Sequence, residues 1–369
     1  KCMIRNTLLF CVVLLLHANW STIIWHLEQE RPLQVTILDK TVPDTSYREH
    51  KGVMWILNNL RYVNSATGSP FRYHQDYYGF FPVPEQQYAI HELPSDLGKT
   101  DLIYVTDTYG VYTADFYREN IRGKRSELIY GGLKPREVTA IANSLTPRNV
   151  LIAEFNTLAT PSDPQARQQM ESILGVRWTG WIGRYFSSLA ADNPEIPHWL
   201  VENYEQQYNT KWKFRSSGLA FTNLNDEVVI LEAGVGIGSR FNRLVFLPSA
   251  VEHYHVAKEV QYGYWFDIVE AAAQTEVLAH YHLDLTAEGE KELALWNIPA
   301  VFPAVIKNSS PYRTYYFAGD YADSNVIPTS YDAVAWRPWL GIGGITEEKK
   351  FFWQIYFPMM KQIITEIER

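Results

Sequence analysis

Acidic side chains close apolar, β-rich runs at three places in this chain of 369 residues. Asp39 ends "VTILD", Asp107 ends "LIYVTD" and Glu154 ends "NVLIAE". Asp320 and Asp323 follow a fourth run, "RTYYFAGDYAD". In open α/β sheets, ligands bind beyond the carboxyl ends of the strands. Parallel strands share that edge and lie about 4.8 Å apart, so side chains from adjacent ends can meet. A carboxylate pair there could do general acid–base work on a glycoside, one member protonating the leaving oxygen. Asp39, Asp107 and Glu154 are therefore the candidate catalytic residues, with Asp320 and Asp323 as candidate ligand-binding residues. The competing reading makes them helix caps, or partners of Lys40, Arg48 and Arg184.

The run ending at Asp107 stops abruptly in Thr108-Tyr109-Gly110, the place where an α/β fold would present a nucleophile. Gly110 is explained by a turn conformation that other residues resist. The polar residues before it are not, and Thr108, Tyr109 and Asn156 join the candidate ligand-binding set. Trp178, Trp181 and Arg184 cluster in "WTGWIGRY". They could stack on a sugar ring and hold a hydroxyl or carboxylate, or simply pack in the core. His253-x-His255 and His280-x-His282 would place pairs on one strand face, but no third ligand is evident. "GVGIG" (234–238) lacks the spacing and following helix of a phosphate loop and reads as a hairpin turn. There is no GxSxG and no HExxH, so the serine-hydrolase and zincin readings lose their usual support. No cofactor and no metal are expected.

The elements that must position these residues alternate. Val35, Ile37 and Leu38 form a strand ending at Asp39, and Val53, Ile56, Leu57 and Leu60 recur at helical spacing. Residues 68–88, rich in Tyr, Gly and Pro, read as loop. A strand at 102–106, a helix after Gly131-Gly132, a strand at 149–155 and a helix closed by Gly175 follow. Such alternation predicts an α/β fold with a mostly parallel sheet flanked by helices. "WTGWIGRYFSSL" and "IPHWLVENYEQQY" read as aromatic-rich helical or irregular segments. "DEVVILEAGVGIGSRFNRLVFL" reads as a β-hairpin. Strands are expected at 276–283, 299–306 and 313–319, with a final amphipathic helix or helix pair around Pro358. The division is an N-terminal anchor, 1–27, and one α/β domain, 28–369, carrying an insertion at 176–275.

Composition narrows the class. The chain is 46% hydrophobic and 20% charged, with a formal charge of −8, and no Lys/Arg block interleaves with aromatics. That is a globular composition with no footprint for nucleic acid. Lys1 and Arg5 precede an unbroken apolar run, 8–16, and residues 7–25 approach the ~20 needed to span a bilayer. Trp20 and Trp25 could sit in the interfacial belt. "HANW" fits signal cleavage poorly. The expectation is a transmembrane helix that stays uncleaved as a single-pass anchor in the cell membrane, with a cytoplasmic N-terminus and an extracytoplasmic body. A cleaved leader or a buried soluble helix are the alternatives. Both cysteines, Cys2 and Cys11, lie in this leader, so residues 12–369 hold no disulfide, no thiolate nucleophile and no Cys-ligated metal.

The order of pieces resembles the class I glutamine amidotransferase-like fold, in its ThuA-like and β-galactosidase-trimerisation-like branch. The resemblance rests on "TDLIYVTDTYGVY", "GGLKPREVTAIANSL", "NVLIAEFNTLATPSDPQARQQMESILGV", "EVLAHYHL", "PAVFPAVIKNS" and "RTYYFAGDYAD", covering 33–175 and 276–323. It implies a flavodoxin-like core and a nucleophile elbow after Thr106. Amidotransferases of this class need Cys there, and this chain has Asp107, Thr108 and Tyr109. The resemblance therefore implies a degenerate member without glutamine hydrolysis. Its expected role is a binding or scaffolding component of a cell-envelope or polysaccharide system, with a glycan as ligand. The alternative is a glycan-acting hydrolase using Asp39, Asp107 and Glu154.

Overall fold

The computed structural model describes residues 5–6, 12, 20, 22–117, 123–332 and 346–367. Most of the expected anchor, 7–25, lies outside the described residues. Among those described, no helix is long and apolar enough to cross a membrane. Trp25 does not face an interface belt: it is buried against the body, its Nε1 donating to the Asn59 carbonyl at 2.9 Å.

Along the chain, β1 (Val35–Asp39) leads to α1 (Arg48–Asn59), whose Val53, Ile56 and Leu57 are fully buried. Next come β2 (Tyr78–Val83), β3 (Gln87–His91), β4 (Leu102–Asp107), α2 (Pro135–Ser144), β5 (Val150–Glu154) and α3 (Pro164–Leu174). Asp163 caps α3 by accepting from the Gln165 and Ala166 amides. Gly175 ends it in the left-handed region. The insertion supplies β6 (Val176–Phe186), α4 (His198–Tyr208), β7 (Gly218–Asn223), β8 (Val228–Glu232), β9 (Ile237–Phe246), β10 (Glu259–Gln261) and β11 (Phe266–Ala271). Strands β12 (Glu276–Leu285), β13 (Val301–Asn308) and β14 (Arg313–Phe317) complete the main sheet.

That sheet has ten strands in the order β10-β9-β12-β13-β14-β5-β4-β1-β2-β3. Pairings from β14 through β5, β4 and β1 to β2 are parallel, and all others are antiparallel. The sheet is thus mixed, which corrects the expectation of a mostly parallel one. Only β13 and β14 are joined tightly, through 309–312, which forces that pair antiparallel.

Three further expectations change. The stretch read as loop, 68–88, contains β2 and the start of β3. Pro82 is tolerated because β2 pairs with β1 only through Tyr78 and Gly79, which leaves the Pro82 side unpaired. "WTGWIGRYF" is a strand, not a helix. A register shift between Trp178 and Ile182, with Gly180 at φ +93°, breaks the alternation that would have announced it. The expected hairpin at 226–247 does not form: β8 joins a four-stranded sheet, β8-β7-β6-β11, while β9 crosses into the main sheet.

The two sheets meet where Phe266 bridges Gly319 and the Asp267 amide donates to the Ala318 carbonyl at 2.9 Å. The insertion therefore reaches the carboxyl end of β14. The C-terminal segment follows a π-helical turn, Phe352–Tyr356, into the helix Phe357–Ile367. Pro358 has no N–H for the Gln354 carbonyl, and that oxygen accepts from the Ala257 amide at 2.9 Å instead.

Candidate functional site

Because β1, β4, β5 and β14 run parallel, Asp39, Asp107, Glu154 and the segment 320–323 all arrive at one sheet edge. Asp39 and Asp107 are direct register partners, bridged by Thr41. The Thr41 amide donates to Asp39 Oδ1 at 2.9 Å, and its hydroxyl donates to Asp107 Oδ1 at 2.6 Å. The three strand-end acids share this edge, and each can be followed to its bonds.

Asp39 is fully buried, and its Oδ2 contacts His50 Nδ1. His50 Nε2 lies 2.6 Å from the Tyr73 carbonyl, which can only accept, so Nε2 carries a proton and donates. Both ring nitrogens of His50 are thus committed. Asp107 Oδ1 also accepts from the Tyr109 amide at 2.6 Å, and Oδ2 accepts from Asn156 Nδ2 at 2.9 Å. Burial pushes Asp107 up to about 7, against those three bonds. Glu154 accepts from the Tyr104 hydroxyl at 3.2 Å and from the Tyr321 and Ala322 amides at 3.1 and 3.2 Å. Burial still pushes its carboxyl well above the usual carboxylate range. Glu154 thereby ties down the loop that carries Asp320 and Asp323.

The "DTYG" segment is a tight elbow. The Thr108 hydroxyl donates to the Asn156 carbonyl at 2.9 Å, and the Gly110 amide donates to the Thr41 hydroxyl at 2.8 Å. Gly110 has φ +101°, and a Cβ there would lie 2.3 Å from the Tyr130 carbonyl oxygen, so only glycine fits. Asn156 too is left-handed, at φ 66°. Tyr109 is exposed and its ring packs on Tyr112 with centroids 4.9 Å apart.

Outside this elbow lies an acidic rim. Glu49, in the first turn of α1, and Asp320 and Asp323 each offer an oxygen within 4.8 Å of the others. Arg48 Nε donates to Asp323 Oδ1 at 2.6 Å, and its Nη2 reaches both Asp323 Oδ2 and the Tyr264 hydroxyl. Gly52 makes the approach possible: a Cβ there would lie 2.8 Å from the Ala322 carbonyl oxygen. Buried Asp267 sits behind the edge, bonded to the Tyr316 hydroxyl and pushed up to about 7 by burial.

Several expected roles do not survive. Trp178 and Trp181 are buried and give no free face to a sugar. Arg167 covers the Trp178 ring at 5.0 Å, and Trp296 meets Trp181 edge-on at 5.8 Å. Arg184 is not the cation of the cluster: it pairs with Glu195 at 2.7 Å and lies over Tyr264 and Trp265. The cation is Arg48. Lys40 is fully buried and pairs with Glu137 at 2.7 Å, and burial pushes it down to about 8. His280 and His282 have ring centroids 6.4 Å apart, and burial lowers both. His253 pairs with Glu366 at 2.7 Å. Glu49, Asp267 and the His50–Asp39 contact were missed as site features. Glu49 reads as the polar face of a helix, and only the approach of the 320–323 loop buries it.

No family model matches the chain, and no curated protein matches it. Solved structures similar to it include the β-galactosidase from Bacillus circulans sp. alkalophilus, 12% identical over 79% of this chain and 30% of that one, with a TM-score of 0.33. The β-galactosidase from Rahnella sp. R3 is 10% identical over 78% of this chain and 28% of that one, with a TM-score of 0.33. A ThuA-like protein from Bacteroides uniformis ATCC 8492 is 10% identical over 86% of this chain and 95% of that one, with a TM-score of 0.36. The chain thus spans less than a third of either β-galactosidase.

Proposed function

We propose that this chain is a membrane-anchored, extracytoplasmic binding component of a cell-envelope or polysaccharide system, with an amidotransferase-like body that performs no amidotransferase chemistry. The observation that carries this reading is the state of the elbow. Where a thiolate would attack, Asp107 has both oxygens engaged by Thr41, Tyr109 and Asn156, beside exposed Tyr109 and half-buried Tyr112. Committed carboxylates favour holding a shape over turning over a substrate. Paired, partly exposed tyrosines offer a face for a sugar ring. The anchor rests on the basic flank and apolar run of residues 1–25.

One observation favours the second reading, a glycan-acting hydrolase. Asp107, at about 7, is protonated for much of the time at neutral pH, as a general acid must be. Incubating the full chain with envelope polysaccharides separates the two. The binding reading expects retention on the polysaccharide, loss of that retention in Tyr109→Ala, and no new reducing ends. Release of reducing ends that stops in Asp107→Asn would replace it with the hydrolase. Recovery of the full chain from the soluble cytoplasm would overturn the anchor.

A further inference from the structure

Two of the three rim carboxylates are left with almost nothing to hold. Glu49 is 9% exposed and its Oε2 has no hydrogen-bond partner, while its Oε1 is 3.8 Å from Arg48 Nε. Asp320 is 7% exposed, and the one side-chain hydrogen bond it receives goes to its backbone oxygen, from Tyr262 at 3.2 Å. Arg48 directs its Nε and Nη2 hydrogen bonds to Asp323 and Tyr264, and reaches Glu49 only as a long ion pair. A buried polar atom left unpaired costs about 1–3 kcal/mol, and more when charged. The chain keeps this cost although an apolar side chain would remove it.

The geometry points to a binding site for one hard divalent cation, held by Glu49, Asp320 and Asp323. The donor set is oxygen only, which suits calcium, magnesium or manganese and disfavours metals that seek nitrogen or sulfur. The three oxygens lie within 4.8 Å of one another. A dication also neutralises three carboxylates beside a single guanidinium, and Arg48 leaves lone pairs free on each Asp323 oxygen. Glu154 and Gly52 become positioning residues, fixing the 320–323 loop and the approach of α1 to it. This inference stands apart from the glycan reading and is tested without any glycan.

Equilibrium dialysis of the full chain against radioactive calcium should find one ion per chain. Asp320→Asn should weaken binding at least tenfold, and Glu85→Gln, at an exposed turn, should leave it unchanged. Tyrosine-sensitised terbium emission needs no variant. Tyr262 and Tyr264 lie beside the site, so the wild-type chain should show emission that calcium quenches by displacement. No retained calcium, no sensitised emission, or undiminished affinity in Asp320→Asn would overturn the site.

Discussion

The elbow and the rim occupy the same sheet edge and treat their acids in opposite ways. In the elbow, every carboxylate is bonded: Asp39 to Thr41 and His50, Asp107 to Thr41, Tyr109 and Asn156, Glu154 to Tyr104, Tyr321 and Ala322. On the rim, Asp323 takes the Arg48 hydrogen bonds, while Glu49 has only a long ion pair with Arg48 and an Oε2 without a hydrogen-bond partner. Strand-end carboxylates are therefore not one kind of group. Those inside the edge hold the backbone in place. Those outside have unused lone pairs, and only they are free for something that arrives from solution.

The contrast breaks most visibly at Glu154. Glu154→Ala leaves the buried amides of Tyr321 and Ala322 unpaired, at about 1–3 kcal/mol each. Urea unfolding should show a loss of about 3 kcal/mol or more, together with lost calcium binding. A loss below ~1 kcal/mol would show that Glu154 does not hold the rim loop. Gly52→Ala should follow, at about 1–3 kcal/mol, because its Cβ would meet the Ala322 oxygen at 2.8 Å and force α1 away from the loop. Unchanged calcium affinity in that variant would separate α1 from the rim.

The pH response sharpens the inner half of the comparison. Burial raises Asp107 and Asp267 from 3.8 to about 7. The folded chain keeps protons that the unfolded chain releases first, so the stability they contribute is full below about pH 4 and lost as pH rises to about 7. In calcium-free buffer the melting temperature should fall across that window, with a shallower fall in Asp267→Asn. A melting temperature that climbs across the window in both chains would contradict the assignment. The smallest effect belongs to Tyr109→Ala. Its ring is exposed, so stability should move by less than about 0.5 kcal/mol while polysaccharide retention drops. A large loss of stability would make Tyr109 a structural residue.

Much of the edge is readable in the sequence, because an apolar run ending in an acid is a local signal. "VTILD", "LIYVTD" and "NVLIAE" give three of the parallel strands and their terminal carboxylates, and "DTYG" gives the elbow. What escapes is set by distant contacts. Glu49 looks like any solvated first-turn acid until the loop after β14 closes on it. Trp178 and Trp181 look like a sugar platform until a bulged strand turns them into the core. The Gly-rich turn after Glu232 looks like a hairpin because sequence distance cannot report that β8 and β9 enter different sheets.

Paired melting of Asp107→Asn and Asp320→Asn in calcium-free buffer is the most direct test that elbow and rim are built for different ends. Asp107→Asn would set an amide against the Asn156 amide with one acceptor lost, so it should lower stability by about 1–2 kcal/mol. Asp320→Asn removes one of three crowded carboxyls and should leave stability unchanged or raised, and added calcium should stabilise Asp107→Asn but not Asp320→Asn. Equal destabilisation by both substitutions, with the same response to calcium, would contradict the account.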